Sequence, residues 1–162
     1  ETAQFFLAGP IQDAPNWQQE FIEYMQCKLG SSCVIFSPRN VDKMPDYGAQ
    51  VAWERRHLDQ VRRSSRGHLV FCLPCSLSLT EEEIKKMQET KQRPRPYAQT
   101  TRLELGETCG LMQGRQVKAK VWLWMQPGFP NERYIRKLWE EVTGQPPYTF
   151  LSSMCQAILT SQ

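Results

Sequence analysis

The sequence predicts an α/β fold, a parallel sheet with helices on both faces. Three observations carry that expectation. Short apolar runs alternate with longer segments of helical periodicity; glycine or proline closes most of them; and the chain, at 162 residues, has the length of one domain. Alternation of this kind favours parallel strands, because each crossover helix returns the chain to the same end of the sheet.

Residues 3–8 are an apolar run stopped by Gly9-Pro10, which reads as a buried strand followed by a turn. Asn16 is a good helix N-cap. Beyond it Trp17, Phe21, Tyr24, Met25 and Leu29 recur at helical spacing, and Gly30 is the stop. Val34-Ile35-Phe36 is the second strand, closed by Ser37-Pro38. A loop rich in Pro, Asp and Gly then leads to a helix over about residues 50–63. Residues 67–73 form the third strand, ended by Pro74. A helix over about 101–113 follows, with Gly114 as its stop, then a strand over 117–125 and helices over 131–142 and 151–159. The roughly two dozen residues between Pro74 and Gln99 are too many for an ordinary connection. Within them Thr80-Glu81-Glu82-Glu83 has the form of a capping box and predicts a short helix over 81–89. Residues 91–97, with two prolines and three basic side chains, predict a mobile loop.

Composition excludes several classes. With 40% hydrophobic and 23% charged residues and five Trp, the chain is too apolar for disorder and too mixed for a coiled coil. No apolar run approaches the length that spans a membrane. A net charge of +3 is too small to argue for a polymeric nucleic acid as partner. The basic surplus falls on the second helix (Arg62, Arg63, Arg66) and the long connection (Lys91, Arg93, Arg95), both expected near the ligand crevice. The six cysteines read as reduced thiols of a cytoplasmic protein, since a domain of this size needs no disulfide staples. Two separated histidines and scattered cysteines give no metal-ligand spacing, so no metal and no cofactor is expected.

A doubly wound sheet binds ligands at the carboxyl ends of its strands. That rule directs attention to the loops after the first three strands and to the start of the helix near Thr101. Gly9 allows a close backbone approach to a ligand, or is a plain tight turn. No G-x-G-x-x-G and no P-loop follows it. Glu104 sits three residues after Thr101, which fits a capping box; the same placement suits a carboxylate nucleophile held at a helix N-terminus. Glu54, His57 and Leu58 share a helix face, and histidine is the side-chain type suited to general acid or base work near neutral pH, which makes His57 a candidate; a lone His is also a common structural residue. Cys72-Leu73-Pro74-Cys75 raises a redox site, weakly, because no helix starts directly after it.

Taken in order, Phe-Leu-Ala-Gly-Pro-Ile at 6–11, Trp-Glu-x-x-His-Leu at 53–58, Leu-Pro at 73–74 and Thr-Thr-Arg-Leu-Glu-Leu-Gly-Glu at 100–107 resemble the nucleoside 2-deoxyribosyltransferase family. The likeness is to its branch with the Ala-Gly-Pro opening and the Trp-Glu helix, and it runs from residue 5 to about 126. Residues of about 75–99 look like an insertion in a single domain spanning 1–162. The resemblance implies a flavodoxin-like three-layer fold and N-glycosidic bond chemistry without metal or cofactor. It implies Glu104 as the nucleophile toward C1′ of a 2′-deoxynucleoside, with deoxyribosyl transfer between bases through a covalent intermediate. It points to Gly9, Pro10 and Asp13 as holding the nucleoside, and to Trp53 and Glu54, with Asp46 and Gln50, as lining the same pocket. His57 stands where members of the family carry an Asp just before the Leu of the second helix; Glu54, one turn earlier, is placed to supply that carboxylate. Arg102, two residues before the nucleophile, suggests a phosphate contact. A nucleoside 5′-monophosphate hydrolase and a catalytically inactive nucleotide-binding module are the alternatives. Family members are often homo-oligomers that share residues between sites, a role for which Trp139, Tyr148 and Phe150 are available.

Overall fold

The computed structural model describes residues 2–41, 46–77 and 97–161. Four strands, β1 (Ala3–Ala8), β2 (Cys33–Phe36), β3 (Gly67–Leu73) and β4 (Lys120–Met125), form an all-parallel sheet in the order β2-β1-β3-β4. Among the described residues five α-helices accompany them: α1 (Trp17–Leu29), α2 (Tyr47–Arg62), α3 (Gln99–Gln113), α4 (Glu132–Thr143) and α5 (Leu151–Thr160). This is the expected three-layer, flavodoxin-like α/β fold.

The layers follow from the two-residue period of a strand. Ala3, Phe5 and Leu7 of β1, with Val70 and Cys72 of β3 and Trp124 of β4, are buried against α1 and α5. Phe6 and Ala8, with Leu69, Phe71 and Leu73, and Leu123 and Met125, are buried against α2, α3 and α4. The central strands are apolar on both sides for that reason, while the edge strand β2 leaves Val34 44% exposed. The sheet order turns back between β1 and β3, so the ligand crevice of such a sheet lies beyond the carboxyl ends of these two strands.

Element ends differ from the sequence expectation where side chains or loops intervene. Helix α2 starts at Tyr47 rather than about residue 50, because the Asp46 carboxylate accepts the Ala49 N–H at 2.7 Å and caps it. Helix α3 starts at Gln99, so Thr101 is a buried residue inside the helix and the expected Thr101–Glu104 capping box does not form; its N-cap is Ala98, in left-handed geometry with φ of 56°. Strand β4 starts at Lys120 rather than 117, since the N–H groups of Lys118 and Ala119 both donate to the Arg62 carbonyl, at 3.0 and 3.1 Å. Outside β4 a single residue, Tyr148, bridges the sheet edge, donating to Leu123 and accepting from Met125, each at 2.9 Å. Pro146 and Pro147 precede it and have no N–H to extend the pairing. The expected helix over 81–89 and residues 91–96 of the expected loop lie outside the described residues.

The basic end of α2 is a correction. A helix that crosses from β2 back to β3 begins at the carboxyl ends of the strands and finishes at their amino ends. Arg62 and Arg63 are therefore at the end of the sheet away from the crevice, and both pair with Asp59. Among the described residues no helix is long and apolar enough to cross a membrane.

Candidate functional site

Three loops meet at the carboxyl ends of β1, β2 and β3. After β1 the chain must pass between Trp17 and the backbone of β3. A Cβ on Gly9 would lie 2.3 Å from the Trp17 ring and 2.7 Å from the Cys72 carbonyl oxygen, so this glycine is required by the protein's own packing. The Pro10 carbonyl accepts from Trp17 Nε1 at 3.1 Å and from Gln18 Nε2 at 3.4 Å. Arg39, beyond β2, donates to Gln18 Oε1 at 3.0 Å and to the Ile11 carbonyl at 3.3 Å, tying the second loop to the first. The loop after β3 joins them: the Leu77 N–H donates to the Asp13 carbonyl at 2.8 Å, and Tyr97 Oη to the Pro74 carbonyl at 2.9 Å. Asp13 is exposed, with φ of 57°, and its charge acts on Tyr97. Burial first, then the nearby Cys75 and Asp13, push the Tyr97 hydroxyl up to about 12, so it stays a donor across the physiological range.

Two helices place the charged groups. Glu54 is the eighth residue of α2 and Glu104 the sixth of α3, each in the part of its helix nearest the strand ends. Gln50, one turn before Glu54, donates from Nε2 to Glu54 Oε1 at 3.1 Å. Glu104 is half-buried, and no hydrogen bond or ion pair joins its carboxylate to another described residue. Burial, then the neighbouring charge of Glu54, push its carboxyl up to about 7; Arg55 opposes that shift and Glu107 adds to it. Arg55 and Glu107 form a two-bond ion pair between α2 and α3, Nη1 to Oε2 at 2.7 Å and Nη2 to Oε1 at 3.0 Å.

Other residues singled out from the sequence have different places. His57 is turned toward β2, its ring centroid 4.6 Å from Phe36 and 4.3 Å from Trp53. Its Nδ1 lies 2.8 Å from the Trp53 carbonyl oxygen, which puts the ring proton on that nitrogen, and His57 is not among the charges that act on Glu104. Trp53 packs edge-on to Phe36 and flanks Glu54. Arg102 is occupied by the protein: Nε donates to the Tyr97 carbonyl at 3.3 Å and Nη2 to the Pro130 carbonyl at 2.6 Å, and the guanidinium lies 4.5 Å over the Phe129 ring. It staples the start of α3 to the loop after β4. Asp46 caps α2. Of the aromatic residues considered for a neighbouring subunit, Trp139 is buried in the core, Tyr148 bridges β4, and Phe150 is 67% exposed.

No family model and no curated protein matches this chain. The assignment of a site therefore rests on its residues.

A cavity of about 530 Å³ opens elsewhere, at the β4 edge between α4 and α5, where Trp122, Trp139, Pro146 and Tyr148 contribute walls. Its lining includes no carboxylate, histidine or cysteine, so the hydroxyls of Thr143, Tyr148, Thr149 and Ser153 have no base among the lining residues to activate them. Cys72 is fully buried and its thiol is pushed well up by that burial, the reverse of the low value a redox thiolate needs. Sequence reasoning missed Tyr97 and the Arg55–Glu107 pair. Arg55 follows Glu54 and Glu107 lies one turn after Glu104, so a pairing between the two helices was readable once they were known to touch.

Proposed function

We propose that this protein is an enzyme that cleaves or exchanges the N-glycosidic bond of 2′-deoxynucleosides, with Glu104 as nucleophile and Glu54 as its acid–base partner. One observation carries the reading. The Glu104 carboxylate is half-buried near the carboxyl ends of the strands, beside a second carboxylate from the facing helix, with no hydrogen bond to any described residue. A carboxylate so placed costs stability unless it meets a ligand, and perturbed groups of this kind concentrate at reactive sites.

In the proposed reaction ionised Glu104 attacks C1′ through an oxocarbenium-like transition state. The C1′–N bond breaks, its electron pair goes to the leaving base, and that base takes a proton through Glu54, which receives it from the Glu104 carboxyl as Glu104 ionises. The nitrogen of a second base, or a water, then attacks C1′ of the resulting ester and gives its proton to the Glu54 carboxylate; the C1′–O bond breaks and its pair returns to Glu104. A deoxyriboside, lacking the electron-withdrawing 2′-hydroxyl, reaches such a transition state more readily than a riboside. Trp53, next to Glu54 in α2, and Tyr97, bonded to the loop after β3, offer aromatic surfaces on which a base can stack. The loop of Gly9, Pro10 and Asp13 bounds the sugar, and Gln50 orients Glu54. His57 supports the Trp53 wall in this scheme.

The deciding assay incubates the protein with deoxyinosine or thymidine and a different free base. A new deoxynucleoside establishes transfer; free sugar alone establishes hydrolysis; the same assay with 5′-monophosphates tests the nucleotide hydrolase. Glu104→Ala is expected to lower turnover by several orders of magnitude in a protein that stays folded. Saturable nucleotide binding with no bond cleavage would replace the enzyme with a binding module, as His57 in place of the family's Asp would then explain.

A further inference from the structure

Helix α2 carries Glu54 and Arg55 in succession, and helix α3 carries Glu104 and Glu107 one turn apart. Where the helices touch, one guanidinium therefore stands among three carboxylates. It is bound to the outermost of them: both terminal nitrogens of Arg55 go to Glu107, at 2.7 and 3.0 Å. A fork of two parallel bonds fixes the plane and position of a guanidinium in a way that one bond does not.

We propose that Arg55 and Glu107 are a positioning pair for the Glu54–Glu104 site: Glu107 holds the guanidinium at the rim, where its charge acts on Glu104 without occupying the lone pairs of the attacking carboxylate. The use of this device in catalysis rests on the N-glycosidic reading above; its action on Glu104 does not. Among the described residues the charged groups that act on Glu104 are Glu54 and Arg55 from α2 and Glu107 from its own helix, while Asp59 and Arg62 act on the ion pair from further along α2. The strand residues beneath α2 and α3, Phe6, Ala8, Phe71 and Leu73, are apolar and add no charge. A guanidinium bonded directly to Glu104 would hold it ionised and unreactive. Without the guanidinium, Glu104 would face two carboxylates and hold its proton to higher pH.

Two substitutions separate positioning from simple tethering. Arg55→Met and Glu107→Gln break the same ion pair, so a purely structural tie would respond to both alike. The positioning role requires opposite and coupled responses: Arg55→Met raises the titration midpoint of Glu104, whereas Glu107→Gln, which releases the guanidinium toward Glu104, lowers it, and lowers it less when Arg55 is already Met. The readout is the side-chain carboxyl carbon of Glu104, titrated by NMR and assigned by its loss in Glu104→Gln. Both variants stay folded, because the pair is exposed, with 57% and 38% of the two side chains accessible, and exposed pairs add little to stability. The same exposure means that salt at about 0.5 M should shrink both shifts. Shifts in the same direction, or none in either variant, overturn the proposal. If the shifts appear while no N-glycoside is turned over, the pair's action on Glu104 stands and the N-glycosidic reading falls.

Discussion

Replacing Glu104 by glutamine should stabilise the folded protein, and by an amount that depends on pH. The carboxyl is raised from 4.5 to about 7, first by burial and then by Glu54. Each unit corresponds to about 1.4 kcal/mol of differential interaction, so ionised Glu104 costs the fold about 2–3 kcal/mol, with allowance for its remaining contact with water. Below pH 4.5 the group is protonated in the folded and unfolded chains alike, and the substitution removes none of this cost. Between 4.5 and 7 the folded chain keeps a proton that the unfolded chain releases, so the wild type loses stability as pH rises. Above 7 the full deficit is present. Glutamine keeps the shape and cannot ionise. Urea unfolding of both proteins should therefore agree closely at pH 4 and diverge by about 2–3 kcal/mol at pH 8, equivalent to roughly 4–12 °C in Tm for a chain of this size. A difference constant across that range, or a less stable glutamine variant at pH 8, would refute the burial of an unsatisfied carboxylate.

Three further outcomes follow from the site. Gly9→Ala drives a methyl into the Trp17 ring and the Cys72 carbonyl, and should cost about 2 kcal/mol or more, read as a Tm lower by roughly 4–8 °C; an unchanged Tm would mean that the first loop is not packed as described. Asp46→Ala removes the cap on α2 and should cost about 1 kcal/mol in chemical unfolding, while Asp46→Asn, which keeps the accepting oxygen, should cost far less. With Glu104 as nucleophile, kcat/KM for deoxyinosine should rise about tenfold per pH unit up to about pH 7 and fall again once the carboxyl pair has lost the proton that the leaving base needs; a profile flat from about pH 5 to 8 would argue against this residue as the attacking group.

The fold was legible because its elements repeat strong local signals. Phe5, Leu7, Val70 and Cys72 face one side and Phe6, Leu69, Phe71 and Leu73 the other, so beyond Gln4 and His68 the two central strands are apolar to their ends at Gly9 and Pro74. Asn16 and Gly30 mark α1 at both ends, as expected. The misplaced ends were those set by distant backbone: nothing local says that Lys118 and Ala119 donate to Arg62. The site was legible in part. Glu104 and Glu54, singled out from the sequence, lie close enough across α2 and α3 for the charge of Glu54 to raise the Glu104 carboxyl. The roles expected of Arg102 and Asp46 were not readable from spacing, because Pro130, Phe129 and the first turn of α2 occupy them in the fold. Gly9 shows a residue type with two sufficient causes; the contact with Trp17 explains it without a ligand.

The two readings of Glu104, helix cap or reactive carboxylate, separate on one geometric fact. A capping carboxylate sits in the first turn, bonds to free N–H groups and is held ionised by them and by the helix dipole. Glu104 is in the second turn of α3, beyond Thr101, with no such bond. The dipole falls off within the first turn, so burial and Glu54 set its proton affinity, and they raise it. The proton then leaves near neutral pH, where the carboxylate is available to attack and the protonated form is available to be shared with Glu54. A cap would have stabilised the fold at that pH. Burial of this carboxylate does the opposite, and that is the cost the proposed nucleophile would carry at neutral pH.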